Sequence, residues 1–369
     1  MINQIKLALF TLLYATVTFV HSAEVPKGFQ IDVFASEVEG ARQMALSKTG
    51  IIYVGSMRAG KVHAVIDSDG DFKADKTVLV MDGLNLPSGL AYKDGDLYIA
   101  EVDQVIRIKD IDTSYDKSPK SEVVYDNLPD KSHHGWKYTK FGPDGRLYVP
   151  IGVPCNICLS EDKRFGTIVA IDVTNGESEV VANGVRNSVG FDWDPKTKHL
   201  WFTDNGRDMM GDDVPPCELN QVSEAGQFFG FPYVHGKAVK DPKFYKRFAN
   251  DRPKMDFVEP AWEFQAHVAP LGMLFYQGEQ FPKEYQNSIF VAQHGSWNRS
   301  SKVGYKVVNL QRDEQGKVVS QTDFATGWLD GEETLGRPAD VIMLSDGSLL
   351  ISDDGFSKIY RVSYNGSAK

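Results

Sequence analysis

Short apolar runs that follow a turn recur along the chain at nearly regular intervals. In three copies an Asp-Gly pair stands directly before the run, at residues 94–95, 144–145 and 346–347. Asp-Gly is favoured in the two-residue turns of β-hairpins, so each copy predicts a hairpin that enters a buried strand. Looser copies of the pattern begin near residues 48, 197 and 287. The pattern therefore predicts six repeats of one strand unit.

The spacing of these runs indicates the architecture. One large side chain marks the same position in each run: Tyr53, Tyr98, Tyr148, Trp201, Phe290 and Leu350. Successive markers are 45, 50, 53, 89 and 60 residues apart, and no long helical periodicity competes with the strands. Periods of this size are typical of four-stranded propeller blades. We predict an all-β, six-bladed β-propeller with a loop-rich insertion at about residues 208–265; a β-sandwich with similar hairpins is the alternative.

The first 23 residues differ from the rest of the chain. Lys6 precedes an apolar run of about 14 residues, 7–20, and His21-Ser22-Ala23 follows. This is the pattern of a secretory signal peptide, and the run is short for a membrane span. We predict a signal peptide at residues 1–23, one propeller domain at residues 24–369, no stable membrane insertion, and a periplasmic or secreted product. An uncleaved anchor is the alternative.

Charge narrows the range of partners. The chain has 40 basic and 50 acidic residues, a formal net charge of −10. Removal of the predicted leader, whose one charged residue is Lys6, changes this from −10 to −11. A negative surface repels phosphate backbones, so nucleic acid is not expected as a partner.

Two of the three cysteines are close in sequence. Cys155 and Cys158 form a Cys-x-x-Cys pair, and Cys217 stands alone. A c-type haem would need a histidine after the second cysteine, where the chain has Leu159, and a structural zinc site would need more thiolates. In an exported protein a local disulfide is the preferred interpretation of the pair. A reduced or redox-active pair is the alternative.

Polar residues recur at one position of the repeat, shortly before an apolar run or at its start. They are Arg42–Gln43, His133–His134, Arg186–Asn187, His267 and Arg337. In a propeller the loops that lead into the innermost strands meet at one end of the central channel. Each residue alone has an ordinary structural role, as a clamp between blades or as the partner of a buried carbonyl. Together they predict a shared polar pocket.

Two further segments are candidates for binding charged groups. Residues 203–213 are rich in oxygen donors and glycines, which suits Ca²⁺, although a solvated acidic loop has the same composition. Residues 293–305 combine cations with Trp297, which suits a flat polyanion. An ordinary packing role for Trp297 is the alternative there.

In combination, these motifs resemble the soluble glucose/sorbosone dehydrogenase family. The resemblance runs from about residue 25 to the C-terminus. It rests on the segments His133–Trp136, Gly142–Gly145, Pro154–Cys158, Gly184–Asn187, Gly211–Asp213, His294–Arg299 and Gly336–Pro338. The family implies a six-bladed propeller that uses pyrroloquinoline quinone (PQQ) and Ca²⁺.

The resemblance also implies roles for individual residues. His134 matches the catalytic base, and Arg186 matches the arginine that faces the quinone oxygens. Gly206 and Arg207 match the positions whose backbone carbonyls hold Ca²⁺. The residues expected to contact the cofactor are Gln43, Arg186, Asn187, Arg299, Lys302 and Arg337, of which Lys302 and Arg337 match partners of the cofactor carboxylates.

Two departures favour the sorbosone-like branch of the family. His133 and Ala339 stand where the glucose-oxidising branch has an aspartate and a second arginine. The function implied is oxidation of an aldose or a related polyhydroxy aldehyde or alcohol. His134 takes the hydroxyl proton while a hydride passes to the quinone, and Ca²⁺ and Arg186 stabilise the negative charge that develops.

The reduced cofactor needs an external electron acceptor, a quinone or a cytochrome, because the chain has no haem motif of its own. Two alternatives stay open. One is a Ca²⁺-dependent lactonase on a six-bladed propeller, and the other is a non-catalytic propeller that binds a partner on its rim.

Overall fold

A computed structural model describes residues 23–247 and 256–366 of the 369-residue chain. All but the last residue of the predicted signal peptide lies outside these ranges, so the leader stays a prediction. No helix within the described ranges is long and apolar enough to cross a membrane.

Six sheets, each built on four antiparallel strands, form six blades, so the predicted six-bladed β-propeller is confirmed. Blade 1 comprises Met44–Leu46, Ile52–Val54, Val62–Ile66 and Lys76–Met81. Blade 2 comprises Gly89–Lys93, Asp96–Ala100, Val105–Ile108 and Ser121–Tyr125. Blade 3 comprises Lys140–Phe141, Leu147–Ile151, Thr167–Ile171 and Ser178–Asn183.

The second half of the ring repeats this order. Blade 4 comprises Phe191–Trp193, Leu200–Asp204, Cys217–Val222 and Trp262–Phe264. Blade 5 comprises Pro270–Phe275, Ile289–Gln293, Lys306–Arg312 and Val318–Ala325. Blade 6 comprises Pro338–Met343, Leu349–Asp353, Lys358–Tyr364 and the N-terminal strand Phe29–Ala35.

The N-terminal strand closes the ring. Phe29–Ala35 pairs antiparallel with Lys358–Tyr364, with Phe29 opposite Tyr364. The strand at the start of the described chain thus completes the blade at its end. This pairing covers an edge that would otherwise expose unpaired backbone groups.

The six sequence markers all lie in the second strand of their blade, which explains why the repeat was visible in the sequence. These strands are buried along nearly their whole length, as in Leu147–Ile151 and Leu349–Asp353. A strand covered on both faces by neighbouring layers selects a continuous apolar run rather than an alternating one. The second strands therefore carry the strongest signal in each repeat.

The predicted insertion at about 208–265 is only in part an insertion. It contains the third and fourth strands of blade 4. Its middle adds Gln227–Phe228, which pairs in parallel with the outer strand of blade 3, and a small hairpin of Val234–His235 and Val239–Lys240. A short helix, Phe244–Arg247, follows, and residues 248–255 lie outside the described ranges.

The remaining elements are small and lie in connections between strands. They are the helix Ile111–Ser114, the 3₁₀ turn Lys283–Tyr285 and the hairpin of Leu329–Asp330 with Glu333–Thr334.

Candidate active site

A cavity of about 330 Å³ lies where the loops that lead into the first strands converge. Its charged and titratable lining residues are Arg42, Arg186, Arg337, His133, His134, His267, His294 and Asp208. These residues come from blades 1, 3, 4, 5 and 6, so the structure brings the predicted polar positions into one pocket. Three arginines face one lining carboxylate, although the chain as a whole is acidic. The cavity is therefore suited to an anionic ligand.

His134 has the geometry of a neutral proton acceptor. Its Nδ1 lies 2.9 Å from the carbonyl oxygen of Val153. Because a carbonyl only accepts, Nδ1 carries the proton and Nε2 carries the lone pair. Burial, helped by the positive charge of Arg186, lowers the pKa of His134 to about 2. The imidazole thus stays neutral at physiological pH.

The backbone at His134 is held in a strained conformation. Its φ angle is +51°, in the left-handed region that residues other than glycine rarely occupy. Gly152 packs directly against it, and a Cβ at this glycine would lie 2.7 Å from the His134 Cβ. Strain that the surroundings enforce is concentrated at functional positions. His267, another residue of the cavity wall, shares this conformation with a φ of +69°.

The Arg186 guanidinium is fixed by four hydrogen bonds. Nε donates to the backbone oxygen of Asn156 at 3.0 Å, and Nη1 donates to that of Asn205 at 3.0 Å. Nη2 donates to Asn156 Oδ1 at 2.9 Å and to Asp208 Oδ2 at 3.3 Å. A guanidinium has five N–H donors, so a single N–H is left for a ligand. Arg186 is thus oriented before any ligand arrives.

Asn156 stands inside the predicted disulfide loop, and the structure joins Cys155 to Cys158. Besides holding Arg186, the Asn156 side chain bonds to the backbone of Asp208 in both directions, at 2.9 and 3.0 Å. The disulfide loop therefore braces both Arg186 and the loop that contains Gly206 and Arg207.

A buried aspartate fixes the backbone of each of the two arginines that precede the first strands of blades 4 and 6. The Arg186 N–H donates to Asp204 Oδ2 at 2.8 Å, and the Arg337 N–H donates to Asp353 Oδ1 at 2.9 Å. Both aspartates are buried and end the second strand of their blade. Asp204 also accepts the Asn187 N–H, at 2.6 Å. The backbone N–H groups of the predicted Arg186–Asn187 pair thus bind the same carboxylate.

A second charged cluster lines the side of the cavity formed by blades 5, 6 and 1. Arg42 contacts Asp354, and His294 Nε2 lies 2.7 Å from the same carboxylate. His294 and Arg42 hold the pKa of Asp354 below its usual range, although burial opposes them. Arg337 bonds only weakly to backbone oxygens, at 3.4 Å to His294 and 3.2 Å to Gly295. Of the three arginines, Arg337 is the one whose guanidinium has no carboxylate partner among the described residues.

Two predicted cofactor contacts are bonded elsewhere and do not line the cavity. Arg299 contacts the backbone oxygen of Asp212 and lies 2.9 Å from Asp213 Oδ1. Lys302 Nζ donates to the backbone oxygen of Glu332 at 2.6 Å and to Thr334. Both residues tie loops together, and their roles toward a cofactor stay predictions.

Gln43 also lies away from the cavity wall. Its Oε1 accepts the N–H groups of Leu90 and Thr139 at 2.9 Å, and its Nε2 donates to the Thr139 oxygen at 2.7 Å. The side chain thus joins the starts of blades 1, 2 and 3 inside the channel. These bonds use both ends of the amide, so its predicted place at the cofactor rim stays a prediction.

The two predicted metal positions differ in their surroundings. Gly206 lines the cavity, and a Cβ there would lie 2.6 Å from the Pro216 oxygen, so only glycine fits. The Arg207 side chain turns away and forms a 2.7 Å ion pair with the buried Asp241. The metal role expected of Arg207 concerns its backbone oxygen and is not affected by this pair.

Three residues that hold the arginines of the cavity wall had no such role in the sequence-based prediction. Asp204 and Asp353 follow the apolar run of their blades in parallel segments, Thr203-Asp204 and Ser352-Asp353. Aligning the second strands of the repeats would have found them. Asn156 lies within the motif Pro154–Cys158, but its partners are 30 and 52 residues away, beyond any local pattern.

The fold and the cavity define a class of protein: a six-bladed propeller with a cationic pocket at one end of its channel. The chain belongs to the TrAA12-like family, whose model matches residues 23–364. It is 38% identical over 355 residues to an uncharacterized protein from Borreliella burgdorferi, covering 92% of this chain and 90% of that protein.

Two solved structures share the fold. A calcium structure of the Trichoderma reesei carbohydrate-active enzyme of family AA12 has a TM-score of 0.77 at 18% identity, and the match covers 93% of this chain and 97% of that one. The holo form of the PQQ domain of pyranose dehydrogenase from Coprinopsis cinerea has a TM-score of 0.77 at 17% identity, with the same coverage.

Proposed function

We propose that this protein is a PQQ- and Ca²⁺-dependent dehydrogenase of aldoses or related polyhydroxy aldehydes and alcohols. The single observation that carries the proposal is the meeting of His134, Arg186 and Arg337 in one cavity, because they supply a proton acceptor and cations at the same place. The family match and the PQQ-containing structural neighbour support the choice of cofactor.

The cavity fits a planar anionic cofactor on grounds of its own. Asn187 Oδ1 is buried and has no hydrogen-bond partner among the described residues, so a donor on a ligand would satisfy it. Arg337, which has no carboxylate partner among the described residues, offers positive charge to a carboxylate of the ligand, and Arg186 has one N–H to spare. Gly206 and Arg207 are the positions proposed to offer backbone oxygens to Ca²⁺, a metal that accepts such ligands.

PQQ would supply the hydride acceptor, and Ca²⁺ would polarise it. The protein's own contribution is proton transfer and charge stabilisation. His134 Nε2 takes the proton from the sugar hydroxyl, while the Val153 oxygen keeps Nδ1 protonated. The remaining N–H of Arg186 stabilises negative charge that develops beside it. Reoxidation of the bound cofactor would need an external quinone or cytochrome. Export by the 1–23 leader is also part of the proposal.

The test uses the purified protein with PQQ and Ca²⁺. Binding is followed by titration with PQQ in the presence and absence of Ca²⁺, and activity by dye reduction with a panel of sugars. We expect His134→Asn to reduce the rate by about 10²- to 10⁴-fold, the range of general base catalysis. His199→Asn is the matched control, because His199 lies in the connection between the first two strands of blade 4, does not line the cavity and bonds to Gln221.

Absence of PQQ binding, or equal activity of the His134 and His199 variants, would contradict the proposal. Hydrolysis of a lactone without quinone would instead support the lactonase alternative. That alternative needs side-chain carboxylate and amide ligands in the channel, and the described cavity wall offers one carboxylate, Asp208, together with Asn187 and Asn205. Retention of biological activity in both His134→Ala and Arg186→Ala would support the non-catalytic binding propeller.

A further inference from the structure

Trp297 is an exposed aromatic side chain at the mouth of the cavity. Of the chain's six tryptophans, all within the described ranges, it alone is exposed, at 71%. Trp136, by contrast, lies deeper in the same cavity and packs edge-on against His134 at 5.6 Å. A large apolar side chain is costly to leave in water, and an exposed one beside a cavity is typical of a binding surface.

The exposure of Trp297 is not the result of a loosely held loop. Before it, the Ser296 N–H donates to the Val303 oxygen at 2.9 Å, and the Tyr305 hydroxyl donates to the Ser296 oxygen at 2.6 Å. After it, Asn298 Oδ1 accepts the Met209 N–H at 2.9 Å from the opposite loop. The backbone is therefore fixed on both sides while the ring faces solvent. A loop that is held in place in advance loses little conformational entropy on binding.

The size of the cavity indicates what meets this ring. About 330 Å³ is near the lower limit for cavities that hold a drug-sized ligand. A planar cofactor and the one sugar ring that must reach His134 would occupy most of this space. Any further ring of a longer saccharide has to lie at the mouth, where Trp297 stands. The apolar C–H face of a pyranose is suited to an aromatic surface of this kind.

We propose that Trp297 is a stacking subsite for a second sugar ring, so that the preferred substrates are reducing disaccharides and longer oligosaccharides. This inference rests on the proposed function, since it assumes that the ring being oxidised lies beside His134. It makes Trp297 a determinant of specificity rather than a catalytic residue.

The experiment compares glucose with its disaccharides cellobiose and maltose. We would measure kcat/KM for wild type, Trp297→Ala, Trp297→Phe and the control Val123→Ala in protein loaded with PQQ and Ca²⁺. Val123 is 54% exposed and lies on the outer strand of blade 2, away from the cavity. We expect Trp297→Ala to reduce the ratio of disaccharide to glucose kcat/KM by about fivefold to tenfold. Trp297→Phe should fall between wild type and Trp297→Ala, and Val123→Ala should match wild type.

The outcomes separate this inference from the proposed function. A wild type that oxidises no sugar refutes the proposed function, and the inference falls with it. An active wild type whose ratio is unchanged by Trp297→Ala refutes the inference alone. The same holds if the variant changes only the KM for the electron acceptor, because Trp297 would then be a docking surface for the acceptor. Calorimetric binding of cellobiose that is weakened in Trp297→Ala supports the subsite independently of turnover.

Discussion

Blades 4 and 6 begin in the same way but hold their arginines differently. In both blades a buried aspartate at the end of the second strand accepts the backbone N–H of the arginine before the first strand. In blade 4 the Arg186 guanidinium is then fixed by four further bonds. In blade 6 the Arg337 guanidinium has only two long contacts to backbone oxygens and lies 5.6 Å from the centre of the Tyr305 ring.

The difference shows that the same repeated backbone arrangement can present an arginine for two different roles. A guanidinium with nearly all its donors used cannot follow a ligand, so Arg186 is suited to stabilising charge at one fixed point. A guanidinium with donors to spare, as in Arg337, is suited to pairing with a carboxylate of a bound molecule. The repeat places both arginines at the mouth, and local contacts decide what each does there.

Among the changes that compare the two arginines, the largest effect is expected when lysine replaces Arg186 and the planar guanidinium is lost. Arg186→Lys keeps the charge but cannot reproduce four bonds in one plane. We expect kcat to fall by about 10²- to 10³-fold, as for the loss of an oxyanion donor, with a much smaller change in the Kd of PQQ. Steady-state kinetics and a cofactor titration measure the two quantities. If Arg186→Lys changed only the Kd of PQQ, Arg186 and Arg337 would have the same role.

The two aspartates should respond differently to amidation. Asp204 uses both oxygens, one for each N–H of Arg186 and Asn187, so Asp204→Asn turns an amide N–H₂ toward a buried N–H. We expect a loss of about 2 kcal/mol in the free energy of unfolding. Asp353 accepts three N–H groups on Oδ1, and its Oδ2 has no partner among the described residues.

The change Asp353→Asn keeps the oxygen that matters, so its loss should stay under about 1 kcal/mol. Urea denaturation at pH 8 measures both variants, a pH chosen because burial raises the pKa of both carboxyl groups. Equal losses in the free energy of unfolding would mean that Asp204 and Asp353 hold their arginines in the same way.

The contribution of His134 to stability should fall as the pH is lowered below about 6.5. The unfolded chain protonates His134 near pH 6.5, while in the folded protein its pKa is lowered to about 2. Between these values the unfolded state binds more protons, so the free energy of unfolding decreases by about 1.4 kcal/mol per pH unit from this group. From pH 6.5 to 5 the loss is about 2 kcal/mol.

Denaturation at pH 7 and pH 5 in wild type and His134→Asn isolates this contribution. The change in the free energy of unfolding from pH 7 to pH 5 should be less unfavourable in the variant, because the other titrating groups are common to both proteins. Arg186 is the arginine whose charge helps to lower the pKa of His134. Arg186→Gln should therefore raise that pKa, whereas Arg337→Gln should leave it in place. If both variants changed the pKa of His134 by a similar amount, Arg186 and Arg337 would not differ in their electrostatic effect on His134.

Loss of the less engaged arginine should weaken cofactor binding. Arg337→Gln removes a positive charge from the cavity wall but leaves the backbone bond to Asp353 in place. We expect the Kd of PQQ to increase by about tenfold, with a smaller change in kcat at saturating cofactor. Fluorescence titration gives the Kd. A fall in kcat as large as that of Arg186→Lys would contradict the division of roles.

The smallest effect is expected for the brace behind Arg186. Asn156→Ala removes one bond to Nη2 and the bonds to the Asp208 backbone, while the Asn156 backbone oxygen still holds Nε. We expect kcat to fall by about fivefold and Asn156→Asp to restore most of it, since the acceptor oxygen returns. Asn175→Ala, on the outer hairpin of blade 3, is the control. A KM effect without a kcat effect would argue against a positioning role.

The parts of the site that could be predicted depend on position within the repeat. His134, Arg186 and Arg337 were found because they precede first strands, and propeller geometry sends those loops to one end of the channel. Arg299 and Lys302 were expected beside the cofactor because of charge and resemblance. Their partners in the fold, Asp213 and Glu332, lie 86 and 30 residues away, and charge in a sequence does not state which partner it meets.

The sequence by itself determined the number of blades and the strands that form their centres, because burial on both faces leaves a continuous apolar run that recurs with the period of the blade. It also determined which loops meet at the mouth. Tertiary structure alone decided which arginine is fixed and which is not, and that Asn156 braces Arg186. These outcomes depend on hydrogen bonds between distant loops, and such bonds have no periodicity by which a sequence reveals them.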